Sequence, residues 1–427
     1  MNSAVVVPIA IFVLTFILRI PIALGMLAAS SYYFLIMGMD LGLVADNVLS
    51  TLYVKYVIMA VPLFIFTAKI MNSGKVTEYM FTFANGLVGR MRGGLGHVNV
   101  VASIIFSGMT GSAVADASGL GLMEIEAMRK EGYDDGFSCA VTAASATIGP
   151  VFPPSIPMIY YAMYSGASIG ALFLGGMAPG IFLGIALMIY IAWVAKRRNY
   201  PRGVRYTLRQ FLLFSFKAIP ALLTPVILIG GIYTGVVTPT EAGALAATYA
   251  IVVSVFAYRV LGPRQLWDIL VDTVKTTGVI GIMITGAATF SFIVSNEQIP
   301  EILASAMLGI TENRIVLLLI INVLFLILGM FVNVGTIQLV FVPMILPLVR
   351  ALGIDLVHFG VVIVLNMMIG LSTPPFGMLL FIVSGISDTP LIRVVKEILP
   401  MIVVMIAVLL VITFVPEIVL FIPRLAG

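Results

Sequence analysis

The sequence has little charge. Only 10% of its 427 residues are Asp, Glu, Lys or Arg, against 61% hydrophobic. So few charges cannot solvate the surface of a water-soluble fold of this length. They cluster between apolar runs long enough for a bilayer, which takes roughly 20 residues per crossing. Short segments of alternating polarity are absent, which excludes a transmembrane β-barrel. A single cysteine, Cys139, excludes an internal disulfide and reads as a small packing residue. The two histidines, His97 and His358, lie far apart, and no Cys/His cluster has metal-ligand spacing, which argues against a transition-metal centre. No GxxxxGK[ST] stretch occurs, so any pumping draws on an ion gradient or on another chain. The formal charge of +4 comes from clustered basic loops and does not point to nucleic acid. The first apolar run lacks a basic lead and reads as a retained span, not a signal peptide.

What is present is a repeat. Ile148-Gly149-Pro150-Val151-Phe152-Pro153-Pro154 is echoed by Ile369-Gly370-Leu371-Ser372-Thr373-Pro374-Pro375, at an offset of 369 − 148 = 221. The same offset carries Gly108-Met109 onto Gly329-Met330 and Ser145 onto Asn366. A looser echo relates the stretch from Pro21 to that from Pro239 at 239 − 21 = 218. Duplicated, broken membrane helices are a sequence pointer to a transport site.

The apolar runs give ten spans: 5–18, 21–38, 56–71, 137–164, 168–195, 219–233, 240–258, 278–294, 358–384 and 398–422. Residues 40–55 read as a loop with a short interfacial helix, and 75–92 as surface. The stretches 137–164 and 358–384 carry the Pro-Pro breaks. Residues 93–122 are apolar but rich in Gly, Ser and Thr, with Arg90 and Arg92 before and Arg129 and Lys130 after. Basic flanks on both sides predict a re-entrant hairpin, tolerated only where buried in protein or lining a wet cavity. Residues 314–348 form the second hairpin, with Asn333-Val334-Gly335-Thr336 as its tip. Residues 206–217 read as an amphipathic helix along the membrane surface. The basic residues set orientation. With the N-terminus outside, only Lys55, Arg314, Arg350 and Arg424 fall outside, and the other nineteen of 23 (23 − 4 = 19) lie in the cytosol. Arg19 is expected at the interface, and Lys69, near the end of its span, can snorkel outward. The fold class is thus all-α and polytopic, an inverted repeat of five spans plus one hairpin each.

Breaks release backbone carbonyls that can hold Na⁺, a hard ion preferring oxygen, while half-helix N-termini can hold an anion. Ser107, Thr110, Ser112, Thr147, Asn333, Thr336, Ser372 and Thr373 add oxygens or donors nearby. Packing alone is the competing explanation for any one small residue, but not for four breaks arranged as a repeat. Asp116 is the one carboxylate placed at depth, and two readings of it stand: a functional group, or a residue that caps the hairpin's second helix or pairs internally. Glu241 reads as a helix N-terminal residue favoured by the dipole.

Together the stretch from Ser107 to Gly119, Gly149 to Ser155, Thr238 to Gly243 and Ser372 to Pro375 resemble the large membrane subunit of tripartite ATP-independent periplasmic (TRAP) transporters, over nearly the whole chain. Each motif alone is weak, and their order and spacing carry the match. The resemblance implies a bacterial inner-membrane, Na⁺-driven importer of an organic acid, a C4-dicarboxylate or sialic acid, with the sialic-acid branch most similar. It implies a small four-helix membrane subunit and a periplasmic substrate-binding protein as partners. It also implies an elevator arrangement, with mobile parts at 86–167 and 302–387 and scaffold at 1–85 and 218–301. Residues 168–217 then form a connecting span with a cytosolic arm, and 388–427 the last span. On this reading Na⁺ is held around Ser107, Gly108, Ser145, Gly149 and Pro150 and around Gly335, Asn366, Gly370, Ser372 and Thr373. Substrate is held between the tips by Thr110, Ser112, Asp116, Ser155, Asn333 and Thr336. A channel, a proton-coupled transporter or exporter acting without a binding protein, and an intramembrane enzyme are the competing readings. No nucleophile-base-metal constellation supports the last.

Overall fold

The computed structural model describes residues 3–18, 20–54, 56–72, 74–203, 206–311 and 313–426. Arg19, Lys55 and Arg205 lie outside the described residues. Among the described residues the chain is all helical, the sole β-type pairing being one isolated bridge between Arg92 and Arg202. Among the described residues seven helices are long and apolar enough to cross a membrane: Ile169–Arg197, Leu208–Tyr233, Pro239–Ala257, Pro263–Asn296, Arg314–Phe331, Val334–Ala351 and Leu391–Phe414. Shorter apolar helices join them, and large hydrophobic side chains such as Ile189, Val274 and Val403 face outward, as a lipid-facing surface requires.

The sequence repeat is also a repeat of helices. The first hairpin has arms Gly94–Thr110 and Ala113–Gly119 continuing as Gly121–Lys130; the second has arms Arg314–Phe331 and Val334–Ala351. Their second arms start at 334 − 113 = 221 and end at 351 − 130 = 221. Each second arm is capped at the same place, Ser112 accepting from Ala115 N at 3.3 Å and Asn333 from Gly335 N at 2.9 Å. The broken crossings are Asp135–Ala146 with Ile156–Ser165, and Leu356–Leu371 with Met378–Ser387. Both Pro-Pro bonds within the breaks are cis.

The helices pack as two bundles. In one, Ile22–Ile36 lies on Pro263–Asn296 while Pro239–Val252 lies on Ala60–Met71, so each repeat contributes a helix to the other. Phe12 against Phe290 and Phe34 against Phe292 fill that seam, with ring centres 5.0 and 5.1 Å apart. The other bundle holds both hairpins and both crossings. Leu391–Phe414 packs on this second bundle against Asp135–Ala146, and Ile169–Arg197 packs on Glu417–Ala426, on Leu391–Phe414 and on the first arm Gly94–Thr110. Gly74–Val88 and Ile299–Ile310 run between the bundles, each touching a hairpin arm.

Side-chain contacts fix two opposite faces. On one, Arg198 pairs with Asp134 and Glu397 at 2.9 and 2.8 Å, and Arg129 donates to Ser387 O and Thr389 Oγ1 at 2.8 and 2.6 Å. On the other, Arg350 donates to Ser165 O at 2.9 Å and Tyr161 to Leu356 O at 2.7 Å. Ile169–Arg197 runs from the second face to the first, and Leu391–Phe414 runs back. The repeats are therefore inverted. Arg129 and Arg350 are themselves related by 350 − 129 = 221, and each closes the carbonyl end of the other repeat's crossing.

Several expected boundaries differ. Residues 206–217 do not form a separate surface helix. A capping box between Thr207 and Gln210 starts one continuous helix, Leu208–Tyr233, and Phe211 stacks on Phe83 at 6.0 Å. The 217/218 boundary falls inside this helix. The expected crossing 278–294 is part of the 34-residue Pro263–Asn296, and Ile299–Ile310 is a helix where no element was expected. The last span ends at Phe414, before Pro416, and Glu417–Ala426 is separate. The helix expected within 40–55 is Gly42–Val54, and Glu241 closes a capping box with Thr238, its carboxylate accepting from Thr238 N at 2.7 Å.

The paired arginine clamps give a stability prediction. Arg129→Gln should lower unfolding stability by about 1 kcal/mol, less than is usual for hydrogen bonds to charged groups because the side chain is part exposed. Arg350→Gln, which loses the bond to Ser165 O, should cost less. The clamps sit on opposite faces, so the double variant should be close to additive. Thermal scans of the purified protein test this; midpoints identical to the parent in both single variants would remove the clamp role.

Candidate functional site

The two hairpin tips meet across one cavity of about 460 Å³. Thr110 through Ala115 line it from the first hairpin, and Asn333, Val334 and Gly335 from the second. Pro150, Ile156, Pro157 and Tyr160 come from the first crossing, and Met368, Leu371 and Met378 from the second. The remaining wall is Ile65, Ala68 and Lys69 of Ala60–Met71 with Asn72 just beyond it, and Thr276, Val279, Ile280 and Met283 of Pro263–Asn296. The site thus lies between the bundles, with tips and breaks on one side and long helices on the other.

Local sequence explains the close approach of tip and break. Gly111 adopts φ +59°, and a Cβ there would sit 2.3 Å from Pro154 O. Only glycine allows both the left-handed turn and that contact. In the second half Gly377 N donates to Met330 O at 3.3 Å, joining break to first arm. Gly329 and Gly370 let first arm and crossing touch backbone to backbone: a Cβ on Gly370 would meet Gly329 Cα at 2.8 Å. Gly108, the counterpart of Gly329, instead faces Pro225 of the other bundle, at 2.7 Å from a built Cβ.

The expected substrate residues divide. Thr110, Ser112 and Asn333 line the cavity together. Thr336 is buried one turn on and donates to Met283 Sδ at 3.5 Å. Ser155 is buried and committed locally, donating to Pro150 O and capping Ile156–Ser165 by accepting from Met158 N at 3.2 Å. Asp116 is buried off the lining, beside Ser103.

The expected Na⁺ residues fall around the breaks. Pro150 and Gly335 reach the cavity. Ser145 donates to Asn99 Oδ1 at 2.6 Å, and Asn366 donates to Asn322 O and Oδ1 at 2.8 and 2.7 Å. The two positions related by the repeat thus make the same link, crossing to first arm, through an asparagine in each case. Ser107 donates to Ile104 O at 2.6 Å, Ser372 to Ile369 O at 2.9 Å and Thr373 to Ile369 O at 2.6 Å. A hydroxyl that donates back along its helix leaves lone pairs for a cation. Asn366 Oδ1 is buried with no hydrogen-bond partner. Gly149 packs at the first tip, a built Cβ lying 3.5 Å from Ala113 N. This all-oxygen, uncharged donor set fits a monovalent hard cation, and among the described residues no trio of His, Cys, Asp or Glu gathers.

Sequence reasoning missed two residues and misplaced a third. Glu124 is as buried as Asp116 on the same arm. Its eight-residue spacing from Asp116 is the available signal, but neighbouring Glu126, Arg129 and Lys130 make the segment read as surface. Asn99 was hidden because nothing in the first arm marks its partner 46 residues on. Lys69 does not snorkel outward: it lines the cavity and pairs with Asp272 at 2.6 Å. Cys139 is buried as expected, its Sγ 3.2 Å from Ser387 Oγ.

Comparison with known proteins places this geometry. Residues 9–418 match the family described as tripartite ATP-independent periplasmic transporter, DctM component. The sialic acid TRAP transporter large permease protein SiaM of Vibrio cholerae is 45% identical over 370 residues, 87% of each chain. The sialic acid TRAP transporter permease protein SiaT of Haemophilus influenzae is 38% identical over 99% of this chain and 69% of its own. The C4-dicarboxylate permease DctM of Pseudomonas aeruginosa is 36% identical over 87% of each. Among solved structures, the YdaH transporter of Alcanivorax borkumensis superposes with a TM-score of 0.64 over 87% of this chain and 86% of its own, at 14% identity, a likeness of fold. Family match and relatives agree over most of the length: the chain is a multi-pass membrane transport protein and belongs to the DctM family of TRAP transporter large permeases.

Proposed function

We propose that the chain imports an organic acid, sialic acid or a C4-dicarboxylate, across a bacterial inner membrane by Na⁺-coupled elevator transport. A periplasmic binding protein delivers the substrate, and a small membrane subunit completes the complex. The observation that carries this is the convergence of both tips and both breaks on one cavity, whose volume suits a small organic ligand. Relatives named for sialic acid, isethionate, C4-dicarboxylate and 2,3-diketo-L-gulonate share an acid group and little else. The oxygen-only residues around each break support Na⁺ as the coupled ion, carried as cargo. The face bearing Arg129 and Arg198 is assigned to the cytosol, because it gathers the basic residues.

Two glycines support rigid-body movement. Gly108 meets Pro225, and a Cβ on Gly119 would lie 2.4 Å from Asn72 Oδ1. Both contacts join the hairpin bundle to the other one, where smooth surfaces ease sliding. Gly119→Val should cut uptake by about tenfold or more while the protein still purifies as a monodisperse species, because overpacking a tight contact costs about 1–3 kcal/mol. Unimpaired uptake in this variant would argue for local gating instead.

The buried Asp116 and Glu124 favour one second reading, proton coupling. Uptake by proteoliposomes with separate Na⁺ and pH gradients decides between them. The Na⁺ reading expects uptake to follow the Na⁺ gradient, and Ser145→Ala and Asn366→Ala each to raise the half-saturating Na⁺ concentration about tenfold, the scale of one lost buried interaction. Uptake driven by the pH gradient alone, and abolished by Asp116→Asn, would establish the proton reading.

A further inference from the structure

We propose that Lys69 is the cavity's binding group for the substrate's acid function, aimed there by Asp272 and Thr276. The inference rests on the organic-acid reading above and deepens it.

Lys69 lies in the last turn of Ala60–Met71, and among the described residues it is the single charged one lining the cavity. Among the described residues no carboxylate lines the cavity; Asp272 meets the ammonium from outside the lining, so an anion in the cavity faces the lysine and no acid group of the lining itself. The ammonium has three protons to donate. One goes to Asp272 Oδ2 at 2.6 Å and one to Thr276 Oγ1 at 2.8 Å. The third is left for a ligand. The two partners stand on Pro263–Asn296, one turn apart, and hold the flexible side chain in a single direction. Asp272 itself is two-thirds exposed, so water screens it and it is a weak competitor for the charge. Lys69 keeps only a quarter of its side chain accessible, where a carboxylate is bound more firmly than at an open surface. Across the cavity, Ser112 and Asn333 present polar groups to the rest of the substrate.

Lys69 belongs to the bundle without hairpins. Asn72, one turn on, makes the contact with Gly119 of the hairpin bundle. If the hairpin bundle carries the substrate, Lys69 stays behind. It therefore meets the acid in one arrangement only, the one seen here, and discriminates acids from neutral analogues at that stage.

The competing explanation is a brace: Lys69 and Asp272 tie two packed helices and do nothing else. Binding of sialic acid and of its methyl ester to the purified membrane complex, without the soluble binding protein, separates the two. Parent protein should prefer the acid by about tenfold to a hundredfold, the value of a charged hydrogen bond. Lys69→Met should remove the preference, whereas Asp272→Asn should retain it. A preference that survives Lys69→Met, or that is lost equally in both variants, overturns the proposal and leaves a brace. A second measurement needs no variant: acylation of Lys69, read by mass spectrometry, should be slowed by the acid and not by the ester. Equal labelling with and without the acid also overturns it. If parent protein binds neither sialic acid nor succinate, the organic-acid reading fails and this proposal with it.

Discussion

Inside a bilayer no water waits to satisfy a broken helix, and that constraint organises this protein. Each unpaired backbone group in hydrocarbon costs several kcal/mol, so a crossing interrupted at Pro153-Pro154 or Pro374-Pro375 must be wrapped in protein. The hairpins do the wrapping. Gly111 lies against Pro154 O, Gly377 N reaches Met330 O, and Ser155 turns its hydroxyl onto Pro150 O. What cannot be wrapped opens on the cavity, where polar cargo takes the place of water.

The same constraint explains which parts were legible. Breakers must recur at fixed positions, so the 221-residue offset located hairpins and crossings, and the match extends to caps and clamps nobody would look for without it. Ser145 and Asn366 emerged as equivalents because their offset is shared, and each does bridge to the first arm of its hairpin. Ser155, by contrast, looks like a ligand residue in sequence because caps and ligands use the same chemistry; only geometry shows that its oxygen is engaged.

The misses have a common cause. Hydropathy reads a residue by its neighbours in sequence, whereas burial depends on neighbours in space. Glu124 sits among charges yet is covered by protein, and Lys69 sits at a helix end yet turns to Asp272 on a helix two hundred residues away. Leu208–Tyr233 is continuous because Phe83 and the capping residues support its polar first turns, a tertiary effect that no window average contains.

The reciprocal arginines carry a consequence for biogenesis. Arg129 is synthesised long before Ser387 and Thr389, and Ser165 long before Arg350. The first repeat therefore enters the membrane with its clamp unmade and the end of its crossing without its arginine. The hairpin bundle gains both clamps only after nearly the whole chain has been inserted, so its last stabilising contacts come late in synthesis.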